Sequence, residues 1–418
     1  MKLWEYLKAR MSDYADRLAI ADLGITYGEI LSFDEIGNSG RLTVCDGDTN
    51  AELAVNILKC LATGNVAVPV TKAYGMQRYE YIRNEVLRDE NEYSELAFIM
   101  FTSGTTGKPK GVMLTDENII TNLEYIATYF DLKSAARICI SRSLVHIAAL
   151  TGELLYALVN GLTVYFYEGA FNPITLNQYL NKHRIEVFCA TPTVFSAMSR
   201  FARGGLNIRI AAISGERLTE KAANDISEKF PDIEFYNVYG LTEHSPRAAA
   251  LLPKEFCLKA GSIGKPIGKV EMKIENGELL IKSPCVMKGY YKCENTKIRD
   301  YWLHTGDAAH TDGDGYYYID GRIDDMIIRA GVNIFPQEIE SVLKECKGVD
   351  ECLAFGVNDE RYGQKIVVKI KGTVSLTDIR KFAAEHLAAH LIPNEYILNE
   401  PIEYTVSGKL KRGKYGGS

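Results

Sequence analysis

The chain has 418 residues, 46% hydrophobic and 24% charged, which excludes global disorder and leaves room for about two to four domains. Lys and Arg number 48 against 54 Asp and Glu, and the net charge of −6 excludes a broad basic surface for nucleic acid or anionic lipid. Nine cysteines form no C-x-x-C pair, so reduced thiols are expected rather than zinc ligands. The charged start MKLWEYLKAR lacks the apolar run of a signal peptide, and no stretch reaches the ~18 apolar residues of a membrane span. A cytoplasmic protein is expected.

The elements, in chain order, read as mixed α and β. Residues 118–131 place Ile119, Leu123, Ile126 and Phe130 at helical spacing, with Thr115 or Asp116 as cap. Residues 161–167 (GLTVYFY) read as a buried strand, 178–184 as a helix and 186–190 as the next strand. Strands at 209–213 and 235–238 flank a helix at 220–229. This succession predicts a parallel α/β sheet. Beyond residue 260 the strands shorten, and Asn276-Gly277 and Asp314-Gly315 read as hairpin turns of a small β subdomain. The texture restarts after 322–325 with a helix at 336–346 and strands at 351–357 and 365–370. A helix at 376–390, capped by Ser375 or Thr377, closes a compact α+β unit.

The strongest chemical signal is LAFIMFTSGTTGKPKGVML, two apolar strands around Thr102, Ser103, Gly104, Thr105, Thr106, Gly107 and Lys108. Glycines allow a tight turn that exposes N–H groups, hydroxyls add donors, and Lys108 and Lys110 add charge. Together these suit a polyphosphate. The loop is not the G-x-x-x-x-G-K-[ST] type, because two residues separate Gly104 from Gly107 and Pro109 follows Lys108. A strand leaves it, so no helix N-terminus anchors the phosphates.

The segment resembles the phosphate loop of the adenylate-forming superfamily: acyl- and aryl-CoA synthetases, adenylation domains of nonribosomal peptide synthetases, and luciferases. Further motifs match in order. Tyr239-Gly240-Leu241-Thr242-Glu243 is similar to YGxTE, His304-Thr305-Gly306-Asp307 to the TGD motif, and Gly321-Arg322-Ile323-Asp324-Asp325 to GRxDD. Gly331-Val332-Asn333-Ile334-Phe335-Pro336 with Glu338 resembles GxNIxPxE, and Ser407-Gly408-Lys409-Leu410 the C-terminal SGKL signature. The resemblance covers essentially the whole chain. It implies a body over residues 1–323 and a small mobile domain over 324–418 that carries Lys409 and pivots at Asp324.

The implied reaction joins a carboxylate to AMP from Mg-ATP, then passes the acyl group to a thiol. By resemblance, Thr102, Ser103, Gly104, Thr105, Thr106, Gly107 and Lys108 hold the β- and γ-phosphates. Thr242 donates to the α-phosphate, and Glu243 ligates Mg²⁺. Tyr239 faces adenine from one side, Ser214, Gly215, Glu216 and Arg217 from the other, and Gly240 belongs to the same nucleotide-binding set. Asp307 accepts from the ribose hydroxyls, and Arg322 contacts the ribose side. Lys409 bridges the carboxylate and the α-phosphate as a mobile point charge. Gly331, Val332 and Asn333 line the thiol path.

Residues 143–153 (SLVHIAALTGE) fall where this family builds its acyl pocket. His146 resembles the histidine beside the acyl group in CoA ligases. Ala148 stands near the place where amino-acid-activating members carry an aspartate, so an α-amino acid is disfavoured. Only eight residues follow Leu410 in this sequence, so the expected acceptor is CoA or the phosphopantetheine of a separate carrier protein. Arg361, Lys365, Lys411 and Arg412 are candidate contacts for CoA phosphates or solvated surface charges. A CoA ligase for an aryl or short acyl acid is the first expectation, and a stand-alone carrier-loading enzyme the second. A silent nucleotide-binding regulator is disfavoured by retention of Lys409, Glu243, Asp307 and Arg322. The region before Thr102 is shorter than the family's, with LSFDEIGNSGR in place of a helix after ITYGEI.

Overall fold

The structure, a computed structural model, describes residues 1–33, 40–102, 109–132, 136–201, 205–294 and 297–403. Two compact units emerge. The first comprises Met1–Lys273, Leu280–Leu303 and Thr311–Tyr317; the second comprises Ile274–Leu279, His304–His310 and the chain from Tyr318 onward. The expected boundary at 323/324 therefore falls inside the second unit, where strand Tyr317–Arg322 pairs with strand Trp302–Thr311.

A nine-stranded sheet dominates the first unit. Its central strands run parallel in the order Glu234–Gly240, Ile210–Ser214, Val187–Ala190, Arg137–Ile140, Thr163–Phe166 and Leu18–Ile20. Antiparallel strands finish both edges. Val187–Ala190 is buried on both faces, as expected of a sheet covered by helices. A second sheet orders Gly289–Tyr290, Lys110–Thr115, Leu96–Thr102, Val66–Pro69 and Leu42–Cys45. Its core packs Val66, Val68, Ile82, Ile99 and Tyr291.

Helix ends follow their caps. Thr115 accepts from Asn118 N, so the helix begins at Asp116 and ends at Ala127, short of the expected 131. Asn172 with Pro173 at the first turn starts the next helix upstream of 178, giving Pro173–Lys182. Helix Glu220–Lys229 stands as read, capped by Thr219. Within ITYGEI a short helix forms over Tyr27–Leu31, with Thr26 and Glu29 in a capping box, and most of the segment after it, residues 34–39, lies outside the described residues.

In the second unit, Val349–Asp359 and Gly363–Gly372 pair as a long antiparallel ribbon. Helices Pro336–Leu343 and Leu376–His386 cover it through Ile339, Leu343, Ile379 and Ala383. Ser375, not Thr377, caps the latter, and both helices end before the expected 346 and 390. Among the described residues no helix is long and apolar enough to cross a membrane.

Candidate active site

Strands Leu96–Thr102 and Lys110–Thr115 pair antiparallel, with Thr102 opposite Lys110. Ser103, Gly104, Thr105, Thr106, Gly107 and Lys108 join them and lie outside the described residues. At the base Thr102 Oγ1 donates to Lys110 O at 3.4 Å. The strand Gly289–Tyr290 adds to Lys110–Thr115, with Tyr290 opposite Val112. Tyr290 OH donates to Glu243 Oε1 at 2.7 Å, and Lys297 Nζ lies 3.4 Å from the same oxygen. Lys110 Nζ sits 5.5 Å from the Tyr290 ring centroid, within cation–π range. Sequence reading found Glu243 but not Tyr290 or Lys297, which carry no motif.

Glu243 follows strand Glu234–Gly240, in the short helical turn Thr242–His244. A Cβ on Gly240 would stand 2.2 Å from Pro246 O, so this glycine is needed for packing whatever it adds to nucleotide binding. Asn122 Nδ2 donates to Arg247 O at 2.8 Å, and Met287 N donates to Glu243 O at 2.9 Å, fixing the turn. Tyr239 and Thr242 are half-buried beside it. His244 is fully buried, and burial lowers its pKa to about 4, so the imidazole stays neutral. A hard carboxylate oxygen that already draws a cation to 3.4 Å fits magnesium. Such an ion takes most of its ligands from phosphate and water. Among the described residues no group of three or more His, Cys, Asp or Glu forms an all-protein metal site.

Strand Ile210–Ser214 delivers Ser214, and Gly215, Glu216 and Arg217 follow on the surface. The Glu216 carboxylate accepts from Thr193 Oγ1 at 2.6 Å and Thr193 N at 3.3 Å, in the first turn of helix Pro192–Phe201. It serves as a helix cap. In the segment expected to form the acyl wall, half-buried His146 precedes the helix Ile147–Ala149, which passes into a π-helical turn, Leu150–Leu155. Glu153 within it is fully buried and bound by Arg142. Burial raises the Glu153 pKa and the adjacent guanidinium opposes that rise. Ala148 is half-buried nearby in the chain and brings no charge.

The second unit holds its own cluster. Arg322 Nη1 donates to Asp307 Oδ1 at 2.8 Å and to Thr305 O at 2.9 Å. Gly306 N donates to Glu278 Oε1 at 2.9 Å, and His304 Nδ1 lies 2.8 Å from Glu278 Oε2. Gly306 has φ +74°, and a Cβ there would stand 2.7 Å from Arg322 Nη2. The glycine of TGD thus makes room for the guanidinium that orients Asp307. Asp324 Oδ2 lies 3.8 Å from Arg322 Nη2, at the turn Ile323–Asp325. Gly331, Val332 and Asn333 are exposed on the hairpin joining Ile327–Arg329 to Val332–Ile334. Lys409, Lys411 and Arg412 lie outside the described residues.

The first unit thus holds a hairpin at 96–115 beside a braced carboxylate after YGLT, and the second an Arg-held aspartate in TGD. Residues 83–291 match the AMP-binding enzyme family and residues 338–409 the AMP-binding enzyme C-terminal domain. The chain belongs to the AMP-binding enzyme family. It is 28% identical to a feruloyl-CoA synthase of Amycolatopsis, across 98% of this chain and 97% of that protein. It is 30% identical to a 2-succinylbenzoate–CoA ligase of Listeria monocytogenes, across 77% of this chain and 70% of that protein. The O-succinylbenzoate coenzyme A synthetase of Bacillus subtilis, solved with ATP and magnesium, superposes with a TM-score of 0.86. That match has 25% identity and covers 99% of each chain.

Proposed function

We propose that this chain joins an aryl or short acyl carboxylic acid to CoA. It is an ATP-dependent, AMP-forming acid–thiol ligase. A carboxylate oxygen bonds to the α-phosphorus of ATP as the bond to pyrophosphate breaks. The CoA sulfur then bonds to the acyl carbon, the bond to AMP breaks, and the thiol proton leaves. The single observation that carries this reading is the Glu243 carboxylate, braced by Lys297 and by Tyr290, whose strand pairs with the Lys110–Thr115 strand next to residues 103–108.

The first step brings two anions together, so positioning and charge neutralisation do most of the work. Magnesium, when bound, offsets phosphate charge, and Glu243 would hold it. Thr102 and the 103–108 loop bind the β- and γ-phosphates, and Thr242 donates to the α-phosphate. Tyr239 and the backbone of 214–217 flank adenine. Asp307 accepts from the ribose hydroxyls, while Arg322 fixes its carboxylate. His146 borders the acyl group, Lys409 bridges the reacting oxygens, and Gly331, Val332 and Asn333 line the thiol path. Glu153 is bound to Arg142, so the acyl wall has no carboxylate committed to a substrate ammonium. A cytoplasmic setting, where ATP and CoA are supplied, goes with this reading.

The test is pyrophosphate exchange across a panel of aryl, short acyl and amino acids, followed by CoA alone. Exchange with aryl or short acyl acids and a CoA thioester are expected. A thioester formed only on an added carrier protein would replace CoA as the acceptor. Tight ATP binding without exchange for any acid would overturn catalysis.

A further inference from the structure

Arg142 has no place in the motifs, yet its guanidinium makes three hydrogen bonds. Nε donates to Glu153 Oε1 at 2.9 Å, Nη2 donates to the same oxygen, and Nη1 donates to Ser214 Oγ at 3.0 Å. The Arg142 side chain is 17% exposed and that of Glu153 0%. A Cβ added to Gly215 would lie 3.8 Å from Nη1, so the guanidinium borders the position next to Ser214 as well. One rigid fork therefore ties the acyl-wall segment to the loop after strand Ile210–Ser214.

Stability alone explains this pair poorly. A buried ion pair is often no more stabilising than apolar residues of equal volume. Glu153 lies inside the π-turn Leu150–Leu155, a local deviation frequent at functional sites. Its Oε2 is buried and has no hydrogen-bond partner among the described residues, which a core selected only for stability would not retain. Gly152 O, beside it in the chain, accepts from buried Arg247 Nη2 at 2.9 Å, so a second guanidinium holds the turn. Lysine could not replace Arg142, because a single ammonium lacks the planar fork that reaches both partners.

We propose that Arg142 is a positioning residue that sets the nucleotide loop through Ser214 and links it to the acyl-pocket wall through Glu153. Acid and nucleotide then bind cooperatively, because one guanidinium holds both elements. The inference rests on reading 214–217 as the adenine loop and 143–153 as the acyl wall.

The test measures AMP affinity by titration calorimetry, and the KM for ATP and kcat in pyrophosphate exchange. Wild type, Ser214→Ala, Arg142→Lys, Arg142→Gln and the Arg142→Gln/Ser214→Ala double variant are compared. Ser214→Ala should weaken AMP binding and raise the KM for ATP about tenfold, with kcat much less affected. Arg142→Gln should do at least as much, Arg142→Lys should not rescue it, and the double variant should match Arg142→Gln. In wild type the KM for ATP should fall as acid is raised; in Arg142→Gln it should not. Unchanged nucleotide affinity in Ser214→Ala and Arg142→Lys, with only the thermal midpoint lowered, would overturn the proposal. So would independent, multiplying effects. Should Arg142→Gln fail to fold, the other two single variants decide. AMP affinity is read without turnover, so a wild type that binds AMP but exchanges no acid overturns the proposed ligase and not this inference.

Discussion

Glu243 and Asp307 reach their settings by different routes. Glu243 is braced by a phenol and an ammonium, Asp307 by a guanidinium. Replacing Tyr290 by Phe removes one hydrogen bond to a charged oxygen, worth roughly 1.5–3 kcal/mol. The magnesium concentration needed for half-maximal pyrophosphate exchange is expected to rise about tenfold or more. A magnesium titration of the variant checks this, and an unchanged curve would remove Tyr290 from the site. YGLTE exposed Glu243 to sequence reading. Tyr290 is 47 positions away and meets it only because strand Gly289–Tyr290 pairs with Lys110–Thr115. Glu216 shows the reverse case: its motif-like position suggested a ligand contact, and Thr193 makes its side chain a helix cap.

At the scale of elements, two joints hold the first unit's site. Asn122, on helix Asp116–Ala127, pairs with Arg247 O and Arg247 N beyond the Glu243 turn. Asn122→Ala leaves those backbone groups unpaired and should cost about 1–3 kcal/mol. A lower denaturant midpoint together with reduced exchange rate is the expected outcome. The second joint is Asp89, just past helix Met76–Leu87. Its carboxylate accepts from Tyr291 OH, from Tyr93 OH at 3.1 Å and from Asn91 N at 3.0 Å, with Lys292 Nζ at 3.1 Å. Burial works against the charge, but these partners outweigh it and hold the pKa well below the usual carboxylate range. The folded value is depressed, so the stability from Asp89 is present above the unfolded pKa near 4 and lost as pH falls further. Asp89→Asn should lower the thermal midpoint at pH 7 and flatten its decline below pH 4; an unchanged decline would count against this joint. Caps were legible at Thr115 and Ser375, whereas the Asn172 cap and the five residues it adds before 178 were not. Three helix ends, at Ala127, Leu343 and His386, were overrun, because fraying into the next turn leaves no comparable side-chain mark.

At the scale of the whole molecule, Glu243, Thr242 and Tyr239 belong to one unit, and Asp307, Arg322, Asp324 and 331–333 to the other. If the second unit pivots between half-reactions, Lys409→Ala should abolish adenylate formation. Thioester formation from a supplied acyl-adenylate should survive. Equal loss of both half-reactions would overturn the pivot. By itself the sequence determined the family and the α/β class and named the candidate reacting groups, because phosphate, ribose and metal chemistry demand particular side chains at short spacings. The tertiary structure alone decided what holds those groups in place. Tyr290 reaches Glu243, Arg142 reaches Ser214, and Glu278 reaches Gly306 N, across 47, 72 and 28 residues. Such partners are set by strand order and packing, and a residue chosen for geometry rather than reactivity leaves no motif to read.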